Sequence, residues 1–182
     1  MTDAPSNAPD APDTPENKGP DAPDAPQIRV ITQYVKDLSF ENPGAPNSLR
    51  ANQTAPAIDM TIDVQAGNVE NDVFEVVLEM SAKAARSEED VVFIAELSFG
   101  GLFQIQNIDE AARQAFLLIE CPRLLFPFAR RILADATRDG GFPPLMLEPV
   151  DFAALYRQQM AKRAAAPHSG AEPNGDGDPQ VN

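Results

Sequence analysis

The chain has 182 residues and carries 28 Asp and Glu against 14 Lys and Arg, so its formal net charge is −14. Binding a polyanion depends on Lys and Arg that displace its counterions, so we expect no nucleic-acid partner and a preference for basic ones. No apolar run approaches the roughly 20 residues of a membrane span. We therefore expect no direct membrane insertion.

Composition divides the chain into two tails and one domain. Residues 1–26 hold seven prolines and six acids but no Ile, Leu, Val or Phe, which predicts a disordered acidic tail. Residues 164–182 are again rich in Pro, Gly, Asp and Asn, which predicts a second disordered acidic tail. The 137 residues of 27–163 suffice for a buried core. One cysteine and an N-terminus without a secretory signal predict a cytoplasmic protein.

Four segments alternate between apolar and polar residues, which predicts the strands of a half-buried antiparallel sheet. They cover residues 28–41, 58–66, 74–83 and 91–99. Alternation assigns Tyr34 to the apolar face of the first strand and leaves Ile31 and Val35 as apolar exceptions on its polar face. Gly100-Gly101 then predicts a bend or a bulge.

The polar face of this predicted sheet is acidic. It carries seven carboxylates, which are Asp37, Glu41, Asp59, Asp63, Glu75, Glu79 and Glu96, against Arg29 and Lys83. Five apolar residues share it, which are Ile31, Val35, Val77, Val92 and Ile94. A flat acidic and apolar surface fits a docking platform for a basic protein, and an ordinary solvated face is the alternative.

Helical patterns follow the strands, and this order favours an α+β fold with an antiparallel sheet. Asp109 is a good N-cap for a helix that begins near residue 110, kinks or splits at Pro122, and stops at Gly140-Gly141. Asp151 caps a last helix. Its apolar stripe has helical spacing and consists of Phe152, Leu155, Tyr156 and Met160.

The sequence offers no recognisable catalytic centre. His168, the only histidine, lies in the predicted C-terminal tail, where nothing would orient its ring. Cys121 precedes Pro122 in an apolar helical segment and is interpreted as a buried structural thiol. No Cys and His spacing suits a metal, and no Gly-rich loop suits a phosphate. We therefore predict a binding protein without catalytic residues, metal or cofactor, and an enzyme is the rival class.

Several segments together resemble the SecB family of cytosolic export chaperones, from about Ile28 to Gln159. The most specific are CPRLLFPFAR at 121–130 and GFPPLMLEPVDFAALY at 141–156. YVKDLSFENPGAP at 34–46, DVFEVVLEMSAKA at 72–84 and AELSFGGLFQIQNI at 95–108 add to the resemblance. It implies a four-stranded antiparallel sheet with a long kinked helix and a C-terminal helix on one face, assembled as a tetramer of two dimers.

The resemblance also implies a function that needs no chemistry on the client. The family holds secretory precursors unfolded and delivers them to the translocation motor SecA. By similarity, SecA would bind Asp37, Glu41, Ile94 and Glu96, all of which fall on the predicted acidic face. Clients would bind in apolar grooves lined by Phe93, Phe99, Phe103, Phe142, Leu145 and Met146. For Phe93 and Phe99, ordinary core packing is the alternative.

One departure from the family pattern concerns the groove. The family usually has a Trp between the first two strands, whereas this chain has no Trp and reads RANQTAPAI at 50–58. A part of the groove is therefore predicted to be weaker or rebuilt. Among binding proteins, the alternative function is a chaperone dedicated to one partner, such as a toxin–antitoxin system.

Overall fold

The computed structural model describes residues 27–51 and 53–165. Their main elements are the strands β1 (Gln27–Glu41), β2 (Ala57–Glu70), β3 (Val73–Ala85) and β4 (Val91–Gln106) and the helices α1 (Glu110–Asp139) and α2 (Phe152–Ala165). A short 3-10 helix, Asn47–Leu49, lies between β1 and β2. The predicted N-terminal tail lies outside the described residues, and so do residues 166–182 with His168.

The four strands form one antiparallel sheet in the order β1-β4-β3-β2. Central strands β3 and β4 pair Phe74 with Phe103 and Met80 with Leu97, which places these buried side chains on one face. Helix α1 packs on that core face, and α2 packs on α1. The predicted α+β fold with a four-stranded antiparallel sheet is confirmed.

Two irregularities in β1 change the faces that alternation predicts. The pairing of β1 with β4 skips Ile31 and, five residues later, Lys36. Each extra residue inverts the order of side chains along the strand. Tyr34 therefore lies on the outer face and Val35 on the core face, so both predicted faces are wrong.

Strand β4 departs from prediction at two places. Val92 is 1% exposed and belongs to the core, because the pairing with β3 shifts beside it. Its predicted place on the polar face is therefore wrong. The strand also continues through Gly100-Gly101 with regular pairing on both sides, in place of the predicted bend. Gly101 has no β-carbon, which makes room for Leu125 of α1. A β-carbon at this position would lie only 2.8 Å from Leu125 Cδ2.

Helix α1 is continuous although Pro122 and Pro127 lie within it. Each proline removes one backbone hydrogen bond, which is why the sequence predicts a kink or a split at Pro122. Leu117, Cys121 and Leu125 are buried against the sheet on both sides of Pro122. This packing holds the helix together across the proline, so the helix does not split there, and the kink stays a prediction.

The predicted helix ends are confirmed. Asp109 Oδ1 accepts a hydrogen bond from the Ala112 N–H at 2.9 Å, and Asp151 Oδ1 accepts one from Ala154 at 3.0 Å. These carboxylates satisfy backbone donors that a helix start leaves free. Helix α1 ends at Asp139 with Gly140 as its C-cap, as predicted. The end of α1 and the start of α2 therefore fix the loop between them at both sides.

Candidate functional site

The outer face of the sheet, opposite the helices, carries all seven predicted carboxylates. Strand pairing places Asp37 beside Ser98, Glu41 beside Ile94, and Asp63 beside Glu79. We call this surface the acidic sheet face, and its members are Asp37, Glu41, Asp59, Asp63, Glu75, Glu79 and Glu96. Glu75 and Glu79 are half-buried and the other five are exposed. The prediction that these carboxylates share one face is confirmed.

The four residues predicted to bind SecA come together on neighbouring strands. Glu41 of β1 pairs with Ile94 of β4, while Asp37 and Glu96 both line a shallow depression of about 300 Å³. Asp63 of β2 lines the same depression, so carboxylates from both edges of the sheet surround it. The surface offers negative charge with a half-buried apolar side chain, which suits a basic protein surface.

Tyr34, Glu75 and Lys36 form a hydrogen-bonded cluster on the acidic sheet face. The Tyr34 hydroxyl donates to Glu75 Oε1, and Lys36 Nζ lies 3.0 Å from both carboxylate oxygens. The Tyr34 ring passes over Gly100, where a β-carbon would lie 2.9 Å from it. The cluster therefore ties edge strand β1 to central strand β3 across β4.

The same contacts shift two pKa values in opposite directions. Hydrogen bonding to Glu75, followed by burial and the carboxylate charge, raises the pKa of Tyr34 to about 12. The hydrogen bonds that Glu75 accepts from Tyr34 and then from Lys36 lower the pKa of its carboxyl. The cluster thus holds a neutral phenol against an ionised carboxylate.

A groove of about 440 Å³ lies between α1 and the loop that follows it. We call it the loop groove; its apolar lining consists of Pro127, Ala134, Pro144, Leu145, Met146 and Leu147. Arg130, Arg131 and Arg138 also line it together with Asp135, which forms ion pairs with Arg131 and Arg138, so charged groups flank the apolar surface. Leu145 and Met146 are two of the six predicted groove residues, and the structure brings them together here.

The other four predicted groove residues do not line the loop groove: three are buried in the core, and Phe142 is half-buried. Phe93, Phe99 and Phe103 are 4%, 6% and 0% exposed and belong to the core. The ring of Phe142 lies 5.1 Å from that of Phe93 and 6.3 Å from that of Phe40. Phe142 therefore anchors the loop to the sheet. In this structure Phe93 and Phe99 pack in the core, which was the alternative interpretation, and client contact with these rings stays a prediction.

Cys121 is fully buried in α1. Burial is the main reason that its pKa rises to about 12, so the sulfur stays a neutral thiol. The interpretation as a structural cysteine is confirmed. Among the described residues, no cluster of three or more His, Cys, Asp or Glu could hold a metal ion, and no helix is long and apolar enough to cross a membrane.

Comparison with known proteins identifies relatives of this chain. The family described as preprotein translocase subunit SecB matches residues 21–163. The chain belongs to the SecB family. The protein-export protein SecB of Maricaulis maris (strain MCS10) is 68% identical over 179 residues, which are 98% of this chain and 98% of the relative. That of Hyphomonas neptunium (strain ATCC 15444) is 56% identical over 145 residues, 79% of this chain and 84% of the relative.

A solved structure resembles this SecB family member as well. It is a SecB-like chaperone of Mycobacterium tuberculosis in complex with a ChAD peptide from an antitoxin, with a TM-score of 0.56 and 17% identity. The match covers 68% of this chain and 90% of that one. At this identity the likeness shows the fold alone.

The sequence analysis missed the α1 residues that form one wall of the loop groove. Pro127, Arg131, Ala134 and Arg138 recur every three or four residues and therefore lie along one side of the helix. This spacing could have identified them. It could not have identified Thr137, whose buried hydroxyl bonds to the loop, because that contact depends on how the loop folds back.

Proposed function

We propose that this chain is an export chaperone that holds secretory precursor proteins unfolded and delivers them to SecA. The observation that carries the proposal is the 68% identity over 98% of the chain to a protein named protein-export protein SecB. SecB is a family of chaperones and not of enzymes. Its function needs binding surfaces, and the chain has two of different chemistry.

The acidic sheet face is the proposed docking surface for SecA, with contacts at Asp37, Glu41, Ile94 and Glu96. Exposed carboxylates speed the encounter with a basic surface, and the apolar Ile94 among them adds contact area. The position of these four residues on paired strands supports the proposal. They lie across the sheet from the helices, so docking there leaves the loop groove free.

The loop groove is the proposed binding site for precursor segments. Its Leu, Met and Pro side chains offer apolar contact without a hydrogen-bonding code, which suits many different sequences. Met146 is 72% exposed, so its flexible side chain is free to contact a bound segment. We also propose client contact with Phe93, Phe99, Phe103 and Phe142, of which Phe142 lies in the loop and packs on the ring of Phe93.

We also propose that four copies assemble in the cytoplasm as a tetramer of two dimers. Edge strand β1 and helix α1 expose apolar side chains that a partner copy would cover, which are Ile28, Val30, Val35, Leu38, Leu124 and Phe128. Each is between 39% and 47% exposed in the chain alone. Closed symmetric assembly is the usual way in which soluble proteins cover such surfaces.

Substitution of Glu96 by Lys tests the SecA surface. Glu96→Lys reverses a charge at the depression and is expected to weaken SecA binding about tenfold at low salt, and less at high salt. Isothermal titration calorimetry at two salt concentrations measures this. Capture of an unfolded precursor, followed by native mass spectrometry, is expected to be unchanged.

Glu88→Lys is the matched control, because it makes the same charge change at an exposed turn outside the acidic sheet face. Equal weakening by both variants would reduce the effect to net charge. Loss of precursor capture in a folded Glu96→Lys protein would contradict separate sites. A wild-type protein that ignores unfolded precursors would overturn the proposed function itself.

A further inference from the structure

Thr137 is a fully buried polar residue in the last turns of α1. Its Oγ1 lies 3.1 Å from the Leu133 carbonyl oxygen and 3.0 Å from that of Ala134, and it accepts the Leu145 N–H at 2.9 Å. A hydroxyl has one proton to donate and two lone pairs to accept with. Thr137 can therefore donate to its own helix while it accepts from the loop.

The loop has few other ways to bind the helix near this point. Pro143 and Pro144 have no N–H group, so Phe142 and Leu145 supply the only backbone donors from 142 to 145. The Phe142 N–H donates to the Thr137 carbonyl oxygen at 3.1 Å. Both donors thus end on Thr137, one on its backbone and one on its side chain.

The residue that Thr137 holds is itself part of the loop groove. Leu145 lines the groove together with its neighbours Met146 and Leu147. Without the hydroxyl, the half-buried Leu145 N–H has no acceptor on Thr137, and an unpaired buried donor favours movement of the loop toward water. The position of Leu145 in the groove wall therefore depends on this hydrogen bond.

We propose that Thr137 is a positioning residue that holds the loop wall of the groove and so sets how long a precursor segment stays bound. This inference rests on the proposed client function of the groove. Thr137 makes no contact with the client in this proposal; it acts through Leu145.

The test compares Thr137→Val, which has nearly the same shape but no hydroxyl, with Thr137→Ser, which keeps the hydroxyl. Amide hydrogen exchange measured by NMR reports the Leu145 N–H, and release of a fluorescently labelled unfolded precursor reports client residence. For Thr137→Val we expect exchange at Leu145 and client release each to be about five to ten times faster. Thr137→Ser is expected to stay within about twofold of wild type in both.

Ile105→Val is the stability control, because Ile105 is buried in β4 and pairs with Ile28 at the end of the sheet near the start of α1. It is expected to lower the melting temperature without changing exchange at Leu145 or client release. Thr137→Ala, which also lacks the hydroxyl, replaces Thr137→Val if valine disturbs the packing of α1.

Wild-type release rates in the variants that lack the hydroxyl would overturn the proposal, and so would failure of serine to rescue. Equal acceleration by Ile105→Val would reduce the effect to global stability. If wild-type protein captures no precursor, the proposed function fails and the role in client release falls with it. Exchange at Leu145 still decides whether the hydroxyl holds the loop, so the two failures are distinguishable.

Discussion

At the scale of single residues, the phenol of Tyr34 reports on the acidic sheet face. Its pKa is raised from 10.0 to about 12, chiefly by the hydrogen bond to Glu75. Because the folded state raises the pKa, the stabilisation is complete below pH 10 and is lost as the pH rises towards 12. Glu75→Gln removes the carboxylate charge and is expected to lower the midpoint of Tyr34 ionisation towards 10.0.

Ultraviolet absorbance of the phenolate measures this midpoint, and Tyr34→Phe assigns the signal by removing it. Circular dichroism at each pH confirms that the chain is still folded. An unchanged midpoint in folded Glu75→Gln would show that Tyr34 does not depend on the carboxylate.

Met146 gives a prediction about the loop groove. Its side chain is 72% exposed, so Met146→Asp should leave the fold intact while placing a charge in an apolar site. We expect affinity for an unfolded precursor to fall about tenfold, since a carboxylate must lose bound water before an apolar segment can pack against it. Fluorescence anisotropy with a labelled precursor measures the change. Val69→Asp, at an apolar residue 56% exposed near the β2–β3 turn, is the matched control, and equal losses would place client binding outside the groove.

At the scale of elements, the pair Gly100-Gly101 allows β4 to run the length of the sheet. A β-carbon at residue 101 would lie 2.8 Å from both Leu125 Cδ2 and Phe103 Cε2, inside the core. Gly101→Ala is therefore expected to destabilise the fold by about 1–3 kcal/mol through overpacking. Urea unfolding measures the free energy.

The matched control for this substitution is Gly67→Ala in edge strand β2. No heavy atom lies within 4 Å of a β-carbon there, so the effect should stay within about 0.5 kcal/mol. A stable Gly101→Ala protein would mean that α1 shifts away from β4 at little cost.

The elements also show which features the sequence could predict. Alternation in β2 and β3 identified the acidic sheet face because these strands pair there without an irregularity. In β1 the pairing skips Ile31 and Lys36, so Tyr34 and Val35 each lie on the face opposite to the predicted one. Such irregularities depend on the neighbouring strand and leave no mark in the local pattern. The caps at Asp109 and Asp151 were predictable because they are local hydrogen bonds.

The residues of the candidate sites also differ in whether the sequence could predict them. The four residues of the proposed SecA surface follow from alternation together with the family resemblance. Leu145 and Met146 came from the resemblance alone, since an apolar loop has no periodicity from which to infer its exposed side. The contacts of Thr137 and Arg130 with the loop required the structure, because the hydroxyl and guanidinium groups meet backbone atoms of residues 145 and 147.

At the scale of the whole molecule, the sheet separates two surfaces of different charge. The acidic sheet face lies on one side, and the loop groove, lined by three arginines and Asp135, lies on the side of the helices. Charge on the first therefore acts on a different partner from charge on the second. This separation is why Glu96→Lys and Met146→Asp are expected to affect SecA and precursor binding independently.

The exposed apolar side chains of α1 give the prediction about assembly. Leu124 and Phe128 are one helical turn apart and are 45% and 47% exposed, so their replacement should spare the fold of the single chain. In the proposed tetramer the long helices pack between two dimers. The double variant Leu124→Asp and Phe128→Asp is therefore expected to form dimers, because carboxylates oppose burial at an apolar contact. Native mass spectrometry should find wild type at four times the chain mass of 19.6 kDa and the variant at twice that mass. Val69→Asp serves again as the control and should remain tetrameric. If the double variant stays at four chain masses, α1 does not join the dimers. A monomeric wild type would rule out the assembly altogether.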